Sequence, residues 1–416
     1  MILLLLTFLI FLVFPVLSLL LSIVGIVNDR RFSVTYLVLA CLSISIIALR
    51  YIPHPLDDGA YHFRATQVLT NFDSIISMFQ AFASGFRVGR YDYGSIPVYT
   101  SLMYLVRNTH HYSLLSFISA FVTYFSFGYV VVDLFKSYKS YSKATSALIL
   151  ITVLLLNNFR YTTSGMRFCM AISLVMLILF LESKSNYSKF WTMFWYIIPL
   201  SIHSAVIYFI GLRFVFFYLK KVTVGKSLLV LVGFPILLEL IPKLSEWTGI
   251  VFLQTFVRKI QVYSDNASYA ELFNKTLTLR LYIGVILMML FLIQYFIQGR
   301  TLKTIDDWRL SFVKMTYYVT LLTLGSVPYR NIYDRNLFLL LPMLVIASYI
   351  LYTYKMKLKI VSNRSIVYGL TAGLIVISFV TGFFYNKNFP FNYVDFSKTD
   401  LLVKNIFQFF SDLPFT

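Results

Sequence analysis

Residues 114–135 read LLSFISAFVTYFSFGYVVVDLF, with Asp133 the single charged residue in a run long enough to cross a bilayer as a helix. The apolar positions are continuous rather than alternating, which is the pattern of a buried helix and not of a half-wetted strand. A segment in hydrocarbon has to satisfy its backbone groups internally, so the run is read as a transmembrane helix. Similar runs lie on either side, at residues 1–27, 32–49, 144–158, 167–181 and 190–201, and again at 203–219, 226–241, 276–298, 312–327, 335–354 and 366–385. With 59% hydrophobic and only 13% charged residues, the chain is predicted to be an all-α integral membrane protein. The pattern predicts about twelve transmembrane helices, within a range of about 11 to 14. Several runs are shorter than a straight crossing needs and are expected to pack inside the bundle or beside a cavity. Residues 190–219 read either as two helices broken near Pro199 or as one long tilted helix. Residues 1–27 have neither a basic leading region nor a small-residue cleavage site, so a retained span is expected there. Without repeats or low-complexity linkers, residues 1–416 are expected to form a single polytopic domain.

Lys and Arg in the short loops set an orientation. Loops 28–31, 136–143, 182–189, 220–226, 299–314 and 355–364 hold 13 Lys and 5 Arg and are expected to face the cytoplasm. Outer loops 50–113 and 242–275 and the outer tail 386–416 follow from that assignment. Residues 93–106 then cannot span, because a crossing there would place the loop beginning at Lys136 outside; a re-entrant or interfacial segment is expected instead.

The net charge of +19 first suggests nucleic acid, but the cations are dispersed among short loops and form no groove, so no nucleic-acid partner is expected. Cys41 and Cys169 lie far apart within apolar runs, which argues against a disulfide framework or a metal cluster. The two faces differ in their cation: the outer segments carry 10 Arg and 6 Lys. Topology requires only charge, whereas the planar guanidinium fork matches phosphate oxygens two at a time. An Arg-rich outer face therefore points to a phosphate-bearing ligand; the alternative is that arginines such as Arg50, Arg107 and Arg160 reach lipid headgroups or pair with acids.

Four constellations stand out. Thr162-Thr163-Ser164-Gly165-Met166-Arg167 reads as a polar loop leading into a helix, where backbone donors and Arg167 favour an anion; an interface anchor is the alternative. His203, between Ile202 and Ser204 in an apolar run, is a possible proton acceptor, and equally a hydrogen-bonded structural residue. The run Pro328-Tyr329-Arg330-Asn331-Ile332-Tyr333-Asp334-Arg335-Asn336 reads as a junction between two helices that packs cations, an acid, amides and tyrosines together. Asp334 cannot neutralise both Arg330 and Arg335, and Tyr329, Asn331 and Tyr333 suit a sugar. Finally, Asp57-Asp58-Gly59-Ala60-Tyr61-His62-Phe63-Arg64, followed by Arg87, Arg90, Tyr91, Asp92 and Tyr93, offers paired carboxylates, although Asp-Asp-Gly is also an ordinary turn or helix start. His54 and His62 lie close by, but the spacing fits no familiar ligand pattern and no metal is expected.

These residues carry a resemblance. The Asp57-Asp58-Gly59-Ala60-Tyr61 run, Gly165-Met166-Arg167 with Ala171, Ile202-His203-Ser204-Ala205, and Arg330 to Arg335 before a late span resemble the EpsG and Wzy-type polymerases of bacterial exopolysaccharide, capsule and O-antigen. The two long outer loops with repeated Arg-Gly spacing of the O-antigen branch are missing, so the likeness is to the EpsG branch. The resemblance implies a GT-C-like, metal- and cofactor-independent membrane glycosyltransferase of the bacterial inner membrane, with its site on the outer face. Its partners would be undecaprenyl-pyrophosphate-linked oligosaccharide donor and acceptor, the lipid bilayer and a chain-length-regulating co-polymerase. In that reading Arg167, Arg330 and Arg335 grip the donor pyrophosphate, His203 or Asp58 takes the acceptor proton, and displacement is inverting. Arg64, Arg90, Tyr61, Tyr91, Asp92, Tyr329, Asn331, Tyr333 and Asp334 would contact the saccharide. A flippase for the lipid-linked oligosaccharide, or an O-acyltransferase, would meet some of the same requirements.

Overall fold

The computed structural model describes residues 1–53, 55, 57–88, 92–138, 142–184, 189–218, 222–248, 267–302, 307–358, 364–386 and 403–411. Among them the regular elements are helices, without a β-strand. In chain order they are α1 (Ile2–Val13), α2 (Pro15–Asn28), α3 (Ser33–Ala48), α4 (Asp58–Val68), α5 (Ile75–Ala83), α6 (Pro97–Val106), α7 (Ser113–Lys136), α8 (Lys143–Leu156), α9 (Phe159–Ser164) and α10 (Met166–Lys184). There follow α11 (Lys189–Trp195), α12 (Ile197–Leu200), α13 (Ile207–Tyr218), α14 (Val224–Thr248), α15 (Ala267–Leu302), α16 (Trp308–Gly325), α17 (Arg330–Leu358), α18 (Arg364–Asn386) and α19 (Ile406–Ser411). Among the described residues, five stretches are long and apolar enough to cross a membrane: Ser113–Lys136, Met166–Lys184, Leu279–Gln298, Arg330–Thr353 and Ser365–Asn386. Shorter apolar helices accompany them, including α1, α2, α3 and α8. Large apolar side chains stand exposed along several helices, among them Leu20, Leu229, Phe296 and Phe383, as expected of surfaces that meet lipid rather than water.

The chain divides into two compact units: the first comprises Met1–Ile178, Tyr187–Ile207 and Gly382–Thr416, the second Leu179–Asn186 and Tyr208–Thr381. In the first unit α3 is the central helix, packed by α2 and by α7. Small residues allow the approach. A methyl group placed on Gly25 would sit 2.4 Å from the Tyr36 ring, and one on Gly128 would sit 2.6 Å from Leu37. Ser18 and Ser43 share a 2.7 Å hydrogen bond across α2 and α3, the kind of polar link that holds helices together where no water competes. In the second unit the long apolar stretch of α17 is largely buried and forms the centre, packed by α16 and α15. Gly325 of α16 admits the backbone of α14, since a methyl there would fall 2.4 Å from the Leu231 carbonyl oxygen.

Three of the expected segments take a definite form. The run at 1–27 is not one straight helix: Phe14 leaves the helical region (φ −138°, ψ 73°) because Pro15 crowds the residue before it, and α2 restarts with that proline in its first turn. The predicted non-spanning segment at 93–106 contains α6, whose 10 residues extend about 15 Å, roughly half the thickness of a hydrocarbon core. Around Pro199 the stretch at 190–219 is broken rather than continuous, into α11, α12, a 3-10 turn at Ser204–Val206 and α13.

Candidate functional site

In the first unit the site is built on α4. Asp57 is the N-cap residue and Asp58 the first helical residue, so the Asp-Asp-Gly run is a helix start. Asp57 does not cap with its side chain; its Oδ2 lies 3.4 Å from the buried Tyr51 hydroxyl, which donates to it. Gly59 is required there, because a methyl would fall 2.8 Å from the Tyr51 ring. Burial pushes the Tyr51 phenol well above its ordinary range, with a hydrogen bond to Ser164 acting in the opposite direction and Asp57 reinforcing the rise.

Helical periodicity then divides the α4 residues. Asp58, His62 and Thr66 recur every four residues along one face, and His62 and Thr66 are buried. Tyr61 and Arg64 belong to another face. Arg64 is exposed, its guanidinium lies 4.6 Å from the centre of the Tyr61 ring, and it donates to the Ala60 and Pro55 carbonyls.

His62 joins two further stretches of chain. Arg167, second residue of α10 and half-buried, donates from Nε to His62 Nε2 at 3.1 Å. His62 Nδ1 lies 3.0 Å from the Tyr93 hydroxyl. Tyr99 of α6 sets its ring edge-on to His62 with centroids 5.2 Å apart, and the Arg167 guanidinium carbon is 6.0 Å from the Tyr99 ring centre. Thr100 holds this arm by donating to the Tyr93 carbonyl at 2.6 Å.

The residues before Arg167 are not the expected polar loop. Phe159–Ser164 forms α9, in which Thr162 and Thr163 are buried and donate to carbonyls one turn back. Ser116 and Ser119 of α7 donate to the Thr163 and Thr162 carbonyls at 3.1 and 2.9 Å. The two threonines are therefore committed to packing, and Arg167 is what the motif contributes to the site.

His203 packs against Phe168, the residue after Arg167. Its ring meets Phe168 edge-on at 5.6 Å, and its Nδ1 accepts from the Ala205 backbone N–H at 3.1 Å, capping the 3-10 turn. A neutral histidine has one acceptor nitrogen. Here it is used on the backbone, which leaves Nε2 as an N–H donor. Asp92 is exposed, with its carbonyl accepting from Ser95. His54, Arg90 and Tyr91 lie outside the described residues.

In the second unit Arg330 to Asn336 occupy the first turns of α17, where a junction between helices was expected. The helix separates what the sequence displays side by side. Tyr333 turns inward, its hydroxyl donating to the Leu281 carbonyl at 3.0 Å over Gly284, where a methyl would collide with it. Asn336 is buried and donates to Ser326. Arg330 is exposed, while Asn331 and Arg335 are half-buried. Asp334 pairs with Arg280 of α15: Arg280 Nη1 lies 2.9 Å from Oδ1, and its hydrogen bond points at Oδ2 at 3.1 Å. Arg280 was passed over as part of an apolar run. Its signal was a cation inside a predicted span, which needs a carboxylate nearby. Tyr329, just before α17, donates to Glu239 at 3.2 Å, and burial followed by that carboxylate raises its phenol above the ordinary value.

Among the described residues no group of three or more His, Cys, Asp or Glu could hold a metal ion. Comparison of the chain with protein-family models, with curated proteins and with solved structures finds no match.

Proposed function

We propose that this chain is a polysaccharide polymerase of the EpsG/Wzy type, a membrane glycosyltransferase that joins undecaprenyl-pyrophosphate-linked oligosaccharide units at the outer face of the bacterial inner membrane. In this reading about twelve helices cross, with a GT-C-like arrangement, and the segment carrying α6 enters from the outer side. The observation that carries the proposal is Arg167: a half-buried guanidinium at the first turn of a spanning helix, held through Nε by a ring nitrogen from α4. A cation fixed at the end of a span is suited to an oxyanion, and an uncharged acceptor orients it without neutralising it.

The reaction is a single inverting displacement. The acceptor sugar hydroxyl attacks the donor's anomeric carbon, the bond from that carbon to the pyrophosphate oxygen breaks, and undecaprenyl pyrophosphate leaves with the bonding electrons. Arg167 stabilises the charge that gathers on the leaving group. The hydroxyl proton goes to Asp58, which shares the His62 face of α4; His203, with Nδ1 used on the Ala205 N–H, suits hydrogen-bond donation to a sugar oxygen. Tyr61, Arg64 and Asp92, with Arg90 and Tyr91, contribute to saccharide contacts.

The test is the saccharide profile of a deletion strain complemented with wild type or with Arg167→Ala. The variant should be present at wild-type level, make no long chains and accumulate single repeat units on the lipid carrier at the outer surface. Units retained inside would mean a flippase, full-length chains lacking a substituent an acyltransferase, and normal chain length would remove Arg167 from the site.

A further inference from the structure

We propose that His62 is a positioning residue for Arg167, held as a neutral imidazole protonated on Nδ1, and that it sets the direction in which Arg167 presents its guanidinium to a pyrophosphate. The inference rests on the polymerase reading only for the identity of that anion.

The tautomer follows from the partners. Arg167 Nε carries a hydrogen and cannot accept, so at 3.1 Å His62 Nε2 must offer its lone pair. The remaining ring proton is then on Nδ1, and at 3.0 Å it is donated to the Tyr93 oxygen. A doubly protonated ring would set N–H against N–H and a second cation beside the guanidinium. The opposite tautomer would do the former. Arg167, which can only donate, therefore selects the ring form, and the Tyr93 hydroxyl, which can accept, takes the remaining proton.

The surroundings hold this arrangement in place. His62 and Tyr93 are each 1% exposed, Tyr99 is equally buried, and Thr66 donates to the His62 carbonyl at 2.8 Å. In such an environment a charge-assisted hydrogen bond is stronger than in water. Engagement through Nε also fixes which edge of the guanidinium is used. The spacing of a guanidinium's Nη1–Nη2 pair matches two oxygens of one phosphate. His203 makes a useful contrast: there the backbone takes the Nδ1 lone pair, the reverse of the His62 tautomer.

The experiment uses the full chain purified in detergent and measures binding of inorganic pyrophosphate and, separately, of undecaprenyl pyrophosphate, by calorimetry. Arg167→Ala sets the loss when the cation is gone. His62→Leu should weaken both ligands by about ten- to a hundredfold, the value of a hydrogen bond to a charged group. His62→Gln keeps an acceptor for Arg167 and a donor for Tyr93, and should recover most of the affinity. Tyr93→Phe, a minimal change in volume, should weaken binding by removing the oxygen that takes the buried His62 Nδ1 proton. In the Arg167→Ala background none of these substitutions should weaken binding further, whereas a residue needed only for folding would lower affinity in both backgrounds.

Wild-type affinity in both His62→Leu and Tyr93→Phe, or additive losses on top of Arg167→Ala, would overturn the positioning role. So would a loss confined to the lipid-linked ligand, since the contact is with the shared oxyanion. If Arg167→Ala binds both ligands like wild type, the polymerase site is misplaced and the inference falls with it.

Discussion

Glu182 and Arg213 test how charge is handled inside the second unit. Their side chains are 4% and 3% exposed, and the pair is bidentate: Arg213 Nε lies 3.0 Å from both carboxylate oxygens and Nη2 donates to Oε1 as well. Two ions withdrawn from water this completely stabilise little as a pair, because desolvation offsets most of their attraction. Removing one of them is different. Glu182→Gln leaves a buried guanidinium facing a neutral amide, and should cost about 3–5 kcal/mol of stability, roughly a hundredfold to several-thousandfold change in the folding equilibrium. The double replacement Glu182→Leu with Arg213→Met removes both charges, keeps approximate volume, and should match wild type or exceed it by about 1–4 kcal/mol. The measurement is an unfolding titration of the purified protein in mixed micelles, followed by tryptophan fluorescence, on wild type, both singles and the double. Trp308 reports nearby, edge-on to Phe180 at 5.4 Å. Single variants within about 0.5 kcal/mol of wild type would refute the reasoning, since that is the size expected of solvated surface charges. A double variant as unstable as the worse single would refute it too, by showing that shape and not charge sets the cost.

Two further outcomes follow from the first unit. Gly25→Val places a branched side chain where a single methyl already meets the Tyr36 ring at 2.4 Å, so it should lower stability by about 1–3 kcal/mol, measured by the same titration, with Gly25→Ala less severe. Tyr51 gives a pH dependence: burial raises its folded phenol above the ordinary tyrosine value, so the fold retains the proton longer than the unfolded chain does. That stability is fully present below the unfolded value and is lost as pH rises from there through the folded value, so Tyr51→Phe should flatten the alkaline limb of the stability curve; an unchanged limb would assign it to other groups.

Much of the helical framework was legible because the bilayer imposes a coarse and strong rule. Residues 114–135 and 366–385 read as spans from apolar length alone, and the helices there, Ser113–Lys136 and Arg364–Asn386, end within a few residues of the predicted limits. Residues 93–106 were read as a non-span because loop charge left no room for a crossing, and the helix there, Pro97–Val106, has 10 residues. The kink at Phe14 was also written locally, in the proline that follows it, but apolar continuity outweighed it in the reading. The chain's own residues thus determined which stretches are helical and apolar, and where cations suited to phosphate stand along them.

The partners of the site residues were decided only by the fold. Arg167 and Asp58 were visible, but His62, which joins their helices, was set aside as half of an improbable metal pair. Nothing local tells a histidine at one turn of α4 that an arginine 105 positions later will donate to it. The cluster beginning at Arg330 shows the same limit: read linearly it was a dense junction, whereas the helix turned Tyr333 inward and gave Asp334 to Arg280, 54 residues earlier. Apolar burial is additive along a chain and can be summed from composition. Hydrogen bonds and ion pairs depend on direction and on distances of about 3 Å, which only the packed helices bring into being.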